Sequence, residues 1–440
     1  MLEKLLNLGR EIIPDFLFRL GQPIYHYKLA LLAALIYRFP SGKIKVVMIT
    51  GTKGKSTTAE LVNSILEAAD LRTALTSTIR TKIGETAYPN LLKMTTPGRF
   101  FLQKFLRRAV SEKCEWAVIE MTSQAVAQYR HKFIDLDALI FTGIHPEHIE
   151  SHGSFDKYLE AKLELARTRP HIIVSNLDDI HGQKFLDFAH EKKIGFRLEN
   201  WTGTTYKTNL IGDFNKRNIL AATGFAQAIG IPEESIASGI ANLKQVPGRM
   251  EFVPNNLGIE VVVDYAHTTG SLQAVYEALR PASPELQRGE QAQGKSSQPK
   301  AGPPRAEKLI CVLGACGGGR DKWKRSEFGK IAEQYCDYII LTNEDPYDEN
   351  PWRIVEEIES GISDKSKYEV EINRRKAINK ALQLALQSRG RTSGAEIRPL
   401  VLITGKGTDP YIMGPGGTKQ SWSDAQVVRE ELAKLTQTSF

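Results

Sequence analysis

A glycine-rich segment early in the chain combines residue types that bind phosphate. It reads G-T-K-G-K-S-T-T from Gly51 and directly follows an apolar run. Such a turn exposes backbone N–H groups at the start of a helix, while Lys55 can reach terminal phosphates and Ser56 can ligate Mg²⁺. A purely structural turn is the alternative, and the coincidence of glycine, lysine, hydroxyl, strand and helix argues against it. The G-x-x-G-K-S spacing is compressed relative to G-x-x-x-x-G-K-[ST]. The predicted nucleotide-phosphate site comprises Gly51, Thr52, Lys53, Gly54, Lys55, Ser56 and Thr57.

Three residues farther along could act beside this phosphate site. Glu120 ends an apolar run and His148 lies in a following loop, so they are a candidate carboxylate and imidazole ligand for a divalent metal. Taken alone, His148 would be interpreted as a capping histidine, because His145 and His152 lie in the same segment. Lys162 lies on a predicted helix, where a lysine is normally a solvated charge.

Short apolar runs alternate with helical patterns, and these elements must position the candidate residues. This alternation is typical of parallel sheets with crossover helices, so the sequence predicts two α/β domains. The predicted strands are 43–50, 116–120, 136–141, 171–176, 259–264, 309–314, 338–342 and 400–404, and two of the helices are 57–69 and 155–167.

The strands and helices fall into two series, one that runs to about Val246 and one that begins beyond Pro247. The predicted organisation is a short helical N-terminal extension at 1–43, a central ATP-binding domain at 44–246 and a C-terminal domain at 247–440. Residues 281–306 are rich in Pro, Gly, Ser and Gln and are predicted to be a disordered insertion inside the C-terminal domain.

The net charge of +7 is compatible with nucleic acid, an anionic membrane surface or small polyanions such as nucleotides. A nucleic-acid module would interleave basic and aromatic positions, which are not found, so no nucleic-acid partner is expected. The four cysteines show no C-x-x-C pairing or zinc spacing. This argues against a disulfide framework or structural zinc and favours a reducing cytoplasm.

The N-terminal region carries an apolar stretch without a signal-peptide pattern. The stretch from Ile24 to Phe39 contains His26, Lys28 and Arg38 and is shorter than the ~20 residues of a spanning helix. We therefore expect a helix docked on the following domain. Interfacial contact with a membrane is the alternative.

The order of several motifs resembles the Mur ligase family, whose ATP site opens with a T-G-T-x-G-K-[ST]-[ST] segment. The matching segments that follow are Thr95–Pro97, Glu120–Ala125, Phe141–His148, Tyr158–Lys162, Asn215 to Asn218, Pro247–Glu251 and Asp264–Thr268. The last two, with Gly317–Lys322, are similar to the branch that adds the third residue of the peptidoglycan stem peptide.

The resemblance implies a P-loop ATPase-like central domain and a Rossmann-like C-terminal domain, with the active site in the cleft between them. It also implies that ATP phosphorylates a carboxylate and that an amine attacks the resulting acyl-phosphate, with ATP and Mg²⁺ as cofactors. The expected substrates are UDP-N-acetylmuramoyl-L-Ala-D-Glu, or a related acceptor, and an amino acid.

Residue roles follow from the same resemblance. The implied catalytic residues are Lys55, Glu120, His148, Lys162, Arg249 and Arg320, and the implied metal ligands are Ser56, Glu120, His148 and Lys162 as a carbamate. Nucleotide contacts are assigned to Asn218, Asp264, Tyr265, His267 and Arg320. Acceptor contacts are assigned to Thr95, Thr96, Thr122, Ser123 and Arg130, although Gln124 departs from the family's usual histidine.

The incoming amino acid is assigned to Glu344, Asp345, Tyr347, Gly405 and Asp409. Enzymes that add meso-diaminopimelate carry a D-N-P-R motif whose arginine grips the distal carboxylate. Here Tyr347 takes the arginine position and Asp345 replaces the asparagine. An added carboxylate and a lost guanidinium favour L-lysine, or another diamino acid without the second carboxylate.

Three alternatives are weighed at the level of sequence, and the cysteines argue against one of them. This branch carries an N-terminal domain for the uridine diphosphate, whereas about forty residues precede the first strand here, so the acceptor is expected to be held differently or to lack that group. Folylpolyglutamate synthetases share such a layout and are the rival enzyme class. A relative that amidates lipid-linked precursors usually has paired zinc cysteines, which are absent. A non-catalytic nucleotide-binding module is the third alternative.

Overall fold

The computed structural model describes residues 15–146, 153–189, 191–202, 206–280, 308–392 and 395–438. Contacts within the chain divide it into two compact units. The first unit comprises residues 1–207 and 217–243, and the second comprises 208–216 and 244–440.

The first unit is built on an eight-stranded sheet with the strand order β4-β3-β2-β5-β1-β6-β7-β8. Its strands run parallel except for β3, which pairs antiparallel with both β2 and the edge strand β4. The central strands are buried along their length, which is why they are nearly continuous apolar runs. The strands are β1 Lys45–Thr50, β2 Thr73–Thr76, β3 Arg80–Ile83, β4 Thr86–Pro89, β5 Trp116–Glu120, β6 Ala138–Phe141, β7 Ile172–Asn176 and β8 Lys192–Phe196.

Helices cover the sheet and connect its parallel strands, as crossover connections require. The helices from the N-terminus to Asn242 are α1 Asp15–Tyr37, α2 Lys55–Ala68, α3 Arg99–Ser111, α4 Ser123–Ala127, α5 Phe155–Ala166, α6 Gly182–Leu186, α7 Asp213–Ala228 and α8 Glu233–Asn242.

The second unit has a six-stranded sheet of order β13-β12-β11-β16-β10-β9, in which only β9 is antiparallel. Two hairpins, β14–β15 and β17–β18, stand apart from it. The strands are β9 Glu251–Phe252, β10 Glu260–Asp264, β11 Leu309–Leu313, β12 Tyr338–Leu341, β13 Tyr368–Val370, β14 Gly390–Thr392, β15 Ala395–Ile397, β16 Leu400–Thr404, β17 Tyr411–Met413 and β18 Lys419–Ser421. The helices are α9 Thr269–Leu279, α10 Lys324–Tyr335, α11 Pro351–Glu359, α12 Arg374–Gln387 and α13 Asp424–Thr438.

The predicted α/β fold class is confirmed. The eight predicted strands correspond to β1, β5, β6, β7, β10, β11, β12 and β16, and their ends differ from the prediction by at most two residues. The strands β2, β3 and β4 on one side of the first sheet were not predicted, because they are short and carry no long apolar run. The predicted insertion at 281–306 lies outside the described residues.

One expectation from the cysteines is wrong. Cys311 on β11 and Cys336 at the end of α10 form a disulfide, with their Cα atoms 6.2 Å apart. The two residues are 25 positions apart, and only the packing of α10 over β11 brings them together. Spacing alone therefore could not reveal this pair. The other two cysteines, Cys114 and Cys316, are buried free thiols.

The N-terminal stretch forms the helix α1 that was expected, and it packs against α3. Its inner face is a stripe of small residues, since Ala30, Ala33 and Ala34 are buried. Leu35 and Ile36 on the outer side are more than half exposed. Over the part of the chain that the structure describes, no helix is long and apolar enough to cross a membrane.

Candidate active site

The predicted phosphate loop joins β1 to α2 and packs too closely for side chains at its glycines. A Cβ at Gly51, where φ is +152°, would lie 2.0 Å from Thr142 Oγ1, and one at Gly54, where φ is +80°, would lie 2.3 Å from Asn218 Oδ1. Gly54 also caps α2, whose first turn has neither a capping side chain nor an acid. The first turn therefore leaves the positive end of the helix dipole unneutralised, and this end can attract an anion. Lys55 Nζ donates to Thr52 O at 2.9 Å.

Ser56 and Glu120 meet at the carboxyl ends of β1 and β5. Ser56 Oγ lies 3.1 Å from both carboxylate oxygens of Glu120, which is 2% exposed. Thr78 orients the same carboxylate through its N–H at 2.7 Å and its hydroxyl at 2.9 Å. Thr78 was not predicted, because no motif marks it.

This pair of oxygen ligands has the chemistry that Mg²⁺ prefers. Protein sites for nucleotide-bound Mg²⁺ use one or two carboxylates together with phosphate oxygens and waters. Among the described residues, no group of three His, Cys, Asp or Glu side chains could hold a metal ion. His148 lies outside those residues, so its role stays a prediction.

Lys162 on α5 is buried, at 1% exposed, and is not the solvated charge that a helical lysine normally is. Its Nζ donates to Gly51 O at 2.8 Å and lies 4.8 Å from the centre of the Tyr158 ring. The Tyr158 hydroxyl in turn contacts Thr52 Oγ1 at 2.9 Å. Helix α5 thus brings Lys162 directly to the phosphate loop.

Four of the predicted acceptor residues lie together beside Glu120. Thr96 Oγ1 donates to Glu120 O at 2.8 Å and accepts from Thr122 N at 3.0 Å. Thr95 accepts a hydrogen bond from Thr78 at 3.0 Å, and Arg130 donates to Thr96 O. The fifth, Ser123, is the buried first residue of α4, directly after Thr122.

Asn218 on α7 lies behind the phosphate loop. Its Oδ1 accepts from Thr58 Oγ1 at 3.4 Å, and it faces Gly54 as described above. The predicted adenine contact of Asn218 stays a prediction.

In the second unit, Asp264 ends β10 and organises the first group of predicted residues. Its carboxylate accepts from Met250 N and Ala266 N, each at 2.7 Å. Burial raises the pKa of Asp264, an effect opposed by Arg249 and the two N–H groups. The Arg249 guanidinium lies 4.4 Å from the Tyr265 ring centre.

Tyr265 and His267 complete this group. Their ring centroids are 4.5 Å apart, and burial raises the pKa of Tyr265 to about 12. The structure therefore gathers Arg249, Asp264, Tyr265 and His267 into one cluster.

The residues assigned to the amino acid surround a lysine that the sequence did not single out. Lys406 is 1% exposed, and its Nζ lies 2.7 Å from Asp345 Oδ1 and 3.1 Å from Asp409 Oδ2. Burial lowers the pKa of Lys406, but the neighbouring carboxylates more than reverse this and hold it above its usual value. Asp345 also accepts from Met413 N at 2.8 Å. The charge of Asp345 is therefore already compensated by Lys406.

Glu344 lies next to this ion network. It accepts from Cys316 Sγ at 3.0 Å, and burial raises the pKa of that thiol. A Cβ at Gly405, where φ is +107°, would lie 2.3 Å from Glu344 Oε2. Glycine at this position lets the loop after β16 approach the carboxylate.

Tyr347 and Arg320 occupy neighbouring loops. Tyr347 has a left-handed φ of 52°, and its N–H donates to Met413 O at 3.1 Å. The Gly318 backbone lies against the Tyr347 ring, since a Cβ at Gly318 would be 2.7 Å from Tyr347 Cδ2. Arg320 has an exposed side chain and interacts electrostatically with Tyr347 and Glu344.

Arg374 supports these loops, although the sequence did not single it out. Arg374 is fully buried and makes two hydrogen bonds to Asp424, at 2.8 Å and 2.7 Å. The same guanidinium donates to Thr404 O at 2.7 Å and to Asn343 O at 3.3 Å. It thereby fixes the strand ends that precede Glu344 and Gly405. No local pattern distinguishes Arg374 from the more exposed basic residues beside it.

Glu349 anchors the loop that carries Arg320, and the stability that this contact contributes depends on pH. Burial would raise its pKa, but Arg325, the Gly319 N–H and Lys322 lower it to about 2. A depressed acid pKa stabilises the fold above pH 4.5 and loses that contribution as the pH falls towards 2. We expect Glu349→Gln to lower the free energy of unfolding by about 1 kcal/mol at pH 7 and to have almost no effect near pH 2. Urea unfolding of both proteins across this range tests the sign, and an equal difference at every pH would contradict it.

The fold and the loop between β1 and α2 define the class of the protein, an α/β protein with a phosphate-binding loop. A model described as Mur ligase middle domain matches residues 49–226, and one described as Mur ligase, glutamate ligase domain matches 298–407. The UDP-N-acetylmuramoyl-L-alanyl-D-glutamate--2,6-diaminopimelate ligases of Syntrophomonas wolfei and Aquifex aeolicus are both 34% identical to this chain. The matches cover 87% and 89% of this chain and 77% and 78% of those proteins.

Solved structures agree on the fold. Folylpolyglutamate synthase of Mycobacterium tuberculosis, complexed with ADP, matches with a TM-score of 0.63 at 15% identity, over 86% of this chain and 92% of that one. MurF ligase of Thermotoga maritima, also with ADP, gives 0.62 at 18% identity, over 93% and 85%. The chain belongs to the Mur ligase family. It is an ATP-dependent ligase that forms amide bonds, with ATP and Mg²⁺ as its cofactors.

Proposed function

We propose that this ligase adds an amino acid to UDP-N-acetylmuramoyl-L-Ala-D-Glu during peptidoglycan synthesis. The observation that carries the proposal is the contact between Thr96 and Glu120, which joins the predicted acceptor residues to the predicted Mg²⁺ ligand. The names of the Syntrophomonas and Aquifex relatives support the choice of acceptor.

The reaction has two steps. An acceptor carboxylate oxygen attacks the γ-phosphorus of ATP and displaces ADP, and the resulting acyl-phosphate is attacked by the amine, which loses a proton as phosphate leaves. Mg²⁺ would neutralise charge on the transferring phosphoryl group and would be held by Ser56 and Glu120. Lys55 and the N-terminus of α2 stabilise the same negative charge.

We further propose that Lys162 acts as a carbamate, with His148 as an additional metal ligand. The burial of Lys162 against Gly51 supports this role, because a carbamate keeps one N–H for the carbonyl while adding oxygen ligands. For the nucleotide we propose contacts from Asn218, Arg249, Asp264, Tyr265, His267 and Arg320.

We expect purified protein with ATP, Mg²⁺ and UDP-N-acetylmuramoyl-L-Ala-D-Glu to release phosphate faster with L-lysine than with meso-diaminopimelate. Because Lys406 compensates Asp345, this preference depends on Tyr347, which offers no guanidinium for a second carboxylate. Mass spectrometry of the product identifies the residue added. Faster turnover with meso-diaminopimelate would overturn the preference and would make Arg320, close to Tyr347, the guanidinium that replaces the missing one.

Glutamate addition to a folate is the second candidate function. The folylpolyglutamate synthase match favours it, since it covers 92% of that chain. The same assay with a reduced folate and L-glutamate separates the two functions. Turnover with folate and none with the muramoyl acceptor would replace the proposed function.

A further inference from the structure

Three cationic or basic side chains of the first unit, His26, Arg99 and Arg130, form a group that we call the arginine cluster. Arg99 Nη2 donates to His26 Nδ1 at 2.8 Å and to Gln128 O at 3.0 Å. Arg130 Nε donates to Gln128 Oε1 at 3.1 Å. The two guanidiniums are therefore neighbours across a single glutamine.

Within the described ranges, no carboxylate pairs with either guanidinium of the cluster. Arg99 Nε is buried and has no hydrogen-bond partner. Burial lowers the pKa of Arg130, and the charge of Arg99 lowers it further. Two adjacent like charges are unfavourable, and an anion bound beside both guanidiniums would relieve their repulsion.

The position of Arg99 adds to this positive potential. It is the first residue of α3, and the cap residue Gly98 makes no side-chain hydrogen bond to the helix. The first turn of α3 contains no acid. The unsatisfied N–H groups of a helix start attract anions, so α3 and the two guanidiniums favour the same kind of ligand.

His26 orients Arg99 without adding charge. A guanidinium can only donate, so His26 Nδ1 accepts the hydrogen bond and the imidazole is neutral. Burial lowers the pKa of His26, and Arg99 and Arg130 lower it further. Helix α1 thus supplies a positioning residue to the cluster.

We propose that the arginine cluster binds an oxyanion of the acceptor, either a carboxylate or a phosphate, which makes Arg99 a binding residue and His26 a positioning residue. This inference rests on the proposed function, because Arg130 also donates to Thr96 O among the predicted acceptor residues. Exposed Tyr25, Met94 and Phe100, at 48%, 43% and 37%, adjoin the cluster in sequence or by contact and offer apolar surface to the rest of the acceptor.

Arg99→Gln is the principal test. We expect the acceptor KM to rise about 10- to 100-fold, the loss typical of a charged hydrogen bond, while kcat changes less than about 3-fold. The Tm should stay level or rise, because the change removes one of two like charges. His26→Ala should raise KM by less, again with kcat retained. Arg108→Gln, an exposed arginine on the same helix, is the matched control and should leave KM unchanged.

Two acceptors distinguish the sources of the oxyanion. If the KM ratio of Arg99→Gln to wild type falls to one when the uridine diphosphate is omitted from the acceptor, the cluster binds the diphosphate. If the ratio persists, the cluster binds a peptide carboxylate. An unchanged KM with both acceptors, or a fall in kcat and Tm with KM retained, would overturn the inference.

A binding measurement tests the arginine cluster independently of whether the proposed acceptor is the substrate. Inorganic pyrophosphate is titrated calorimetrically into full-length Lys55→Ala protein, with and without Arg99→Gln, so that the phosphate loop is weakened in both. We expect about 10-fold weaker binding when Arg99 is replaced. Equal binding would count against the cluster even if the enzyme turned over none of the acceptors. Weaker binding without turnover would reject only the proposed acceptor.

Discussion

Replacing Lys55 with alanine lowers kcat for amino-acid-dependent phosphate release by about 100- to 1,000-fold. Lys55 begins α2 directly after Gly54, where it can follow negative charge as the γ-phosphoryl group moves. Alanine removes this cation, and the loss is larger in the transition state than in the ground state because the negative charge next to Lys55 is greater there. Steady-state phosphate release at saturating ATP, acceptor and amino acid measures the effect.

Lys104→Ala is the control for the Lys55 variant. Lys104 is an exposed lysine on α3, so its replacement removes a positive charge from the same unit. Both variants should unfold at the wild-type Tm. A Lys55→Ala enzyme within about 3-fold of wild type would remove the phosphate loop from the mechanism.

Replacing Glu120 with glutamine raises the Mg²⁺ concentration for half-maximal activity by at least about 10- to 100-fold, a loss seen even for residues one shell farther from a metal. Glutamine keeps the size of the side chain and can still accept from Thr78. It lacks the negative charge that Glu120 places beside Ser56 at the proposed Mg²⁺ site. A Mg²⁺ titration of phosphate release at fixed ATP gives the constant.

Glu115→Gln serves as the control for the Glu120 variant. Glu115 is exposed and lies just before the opposite end of β5. Its replacement should leave the Mg²⁺ dependence unchanged. If Glu120→Gln lowered kcat without moving that dependence, Glu120 would act on the substrate and not on the metal.

The sequence predicted those parts of the fold that local patterns determine. The buried strands β1, β5 and β6 are continuous apolar runs, and the glycines of the phosphate loop occupy positions where the structure leaves no room for a Cβ. Both features follow from the backbone and from burial on two faces, so single segments reveal them.

What the sequence did not predict depends on contacts between distant segments. Lys406 lies within a segment that was singled out, yet its ion pair with Asp345 joins residues 61 positions apart. Arg374 and Asp424, 50 positions apart, form another such pair. The expectation that Asp345 would bind a cationic substrate side chain assumed that its carboxylate was unpaired. Only the three-dimensional structure shows that Lys406 is its partner.

The ion network around Lys406 also constrains how this lineage could change its substrate. Removing one partner of a buried charge pair destabilises a protein by about 3–5 kcal/mol. Asp345→Asn alone would leave Lys406 with Asp409 as its remaining close carboxylate. Because Asp409 still compensates Lys406, exchanging aspartate and asparagine at position 345 should cost less than this, so the D-N-P-R and E-D-P-Y types are connected by a tolerated single substitution at that position. Directed evolution of amino-acid choice can therefore vary positions 345 and 347 while Lys406 and Asp409 are kept.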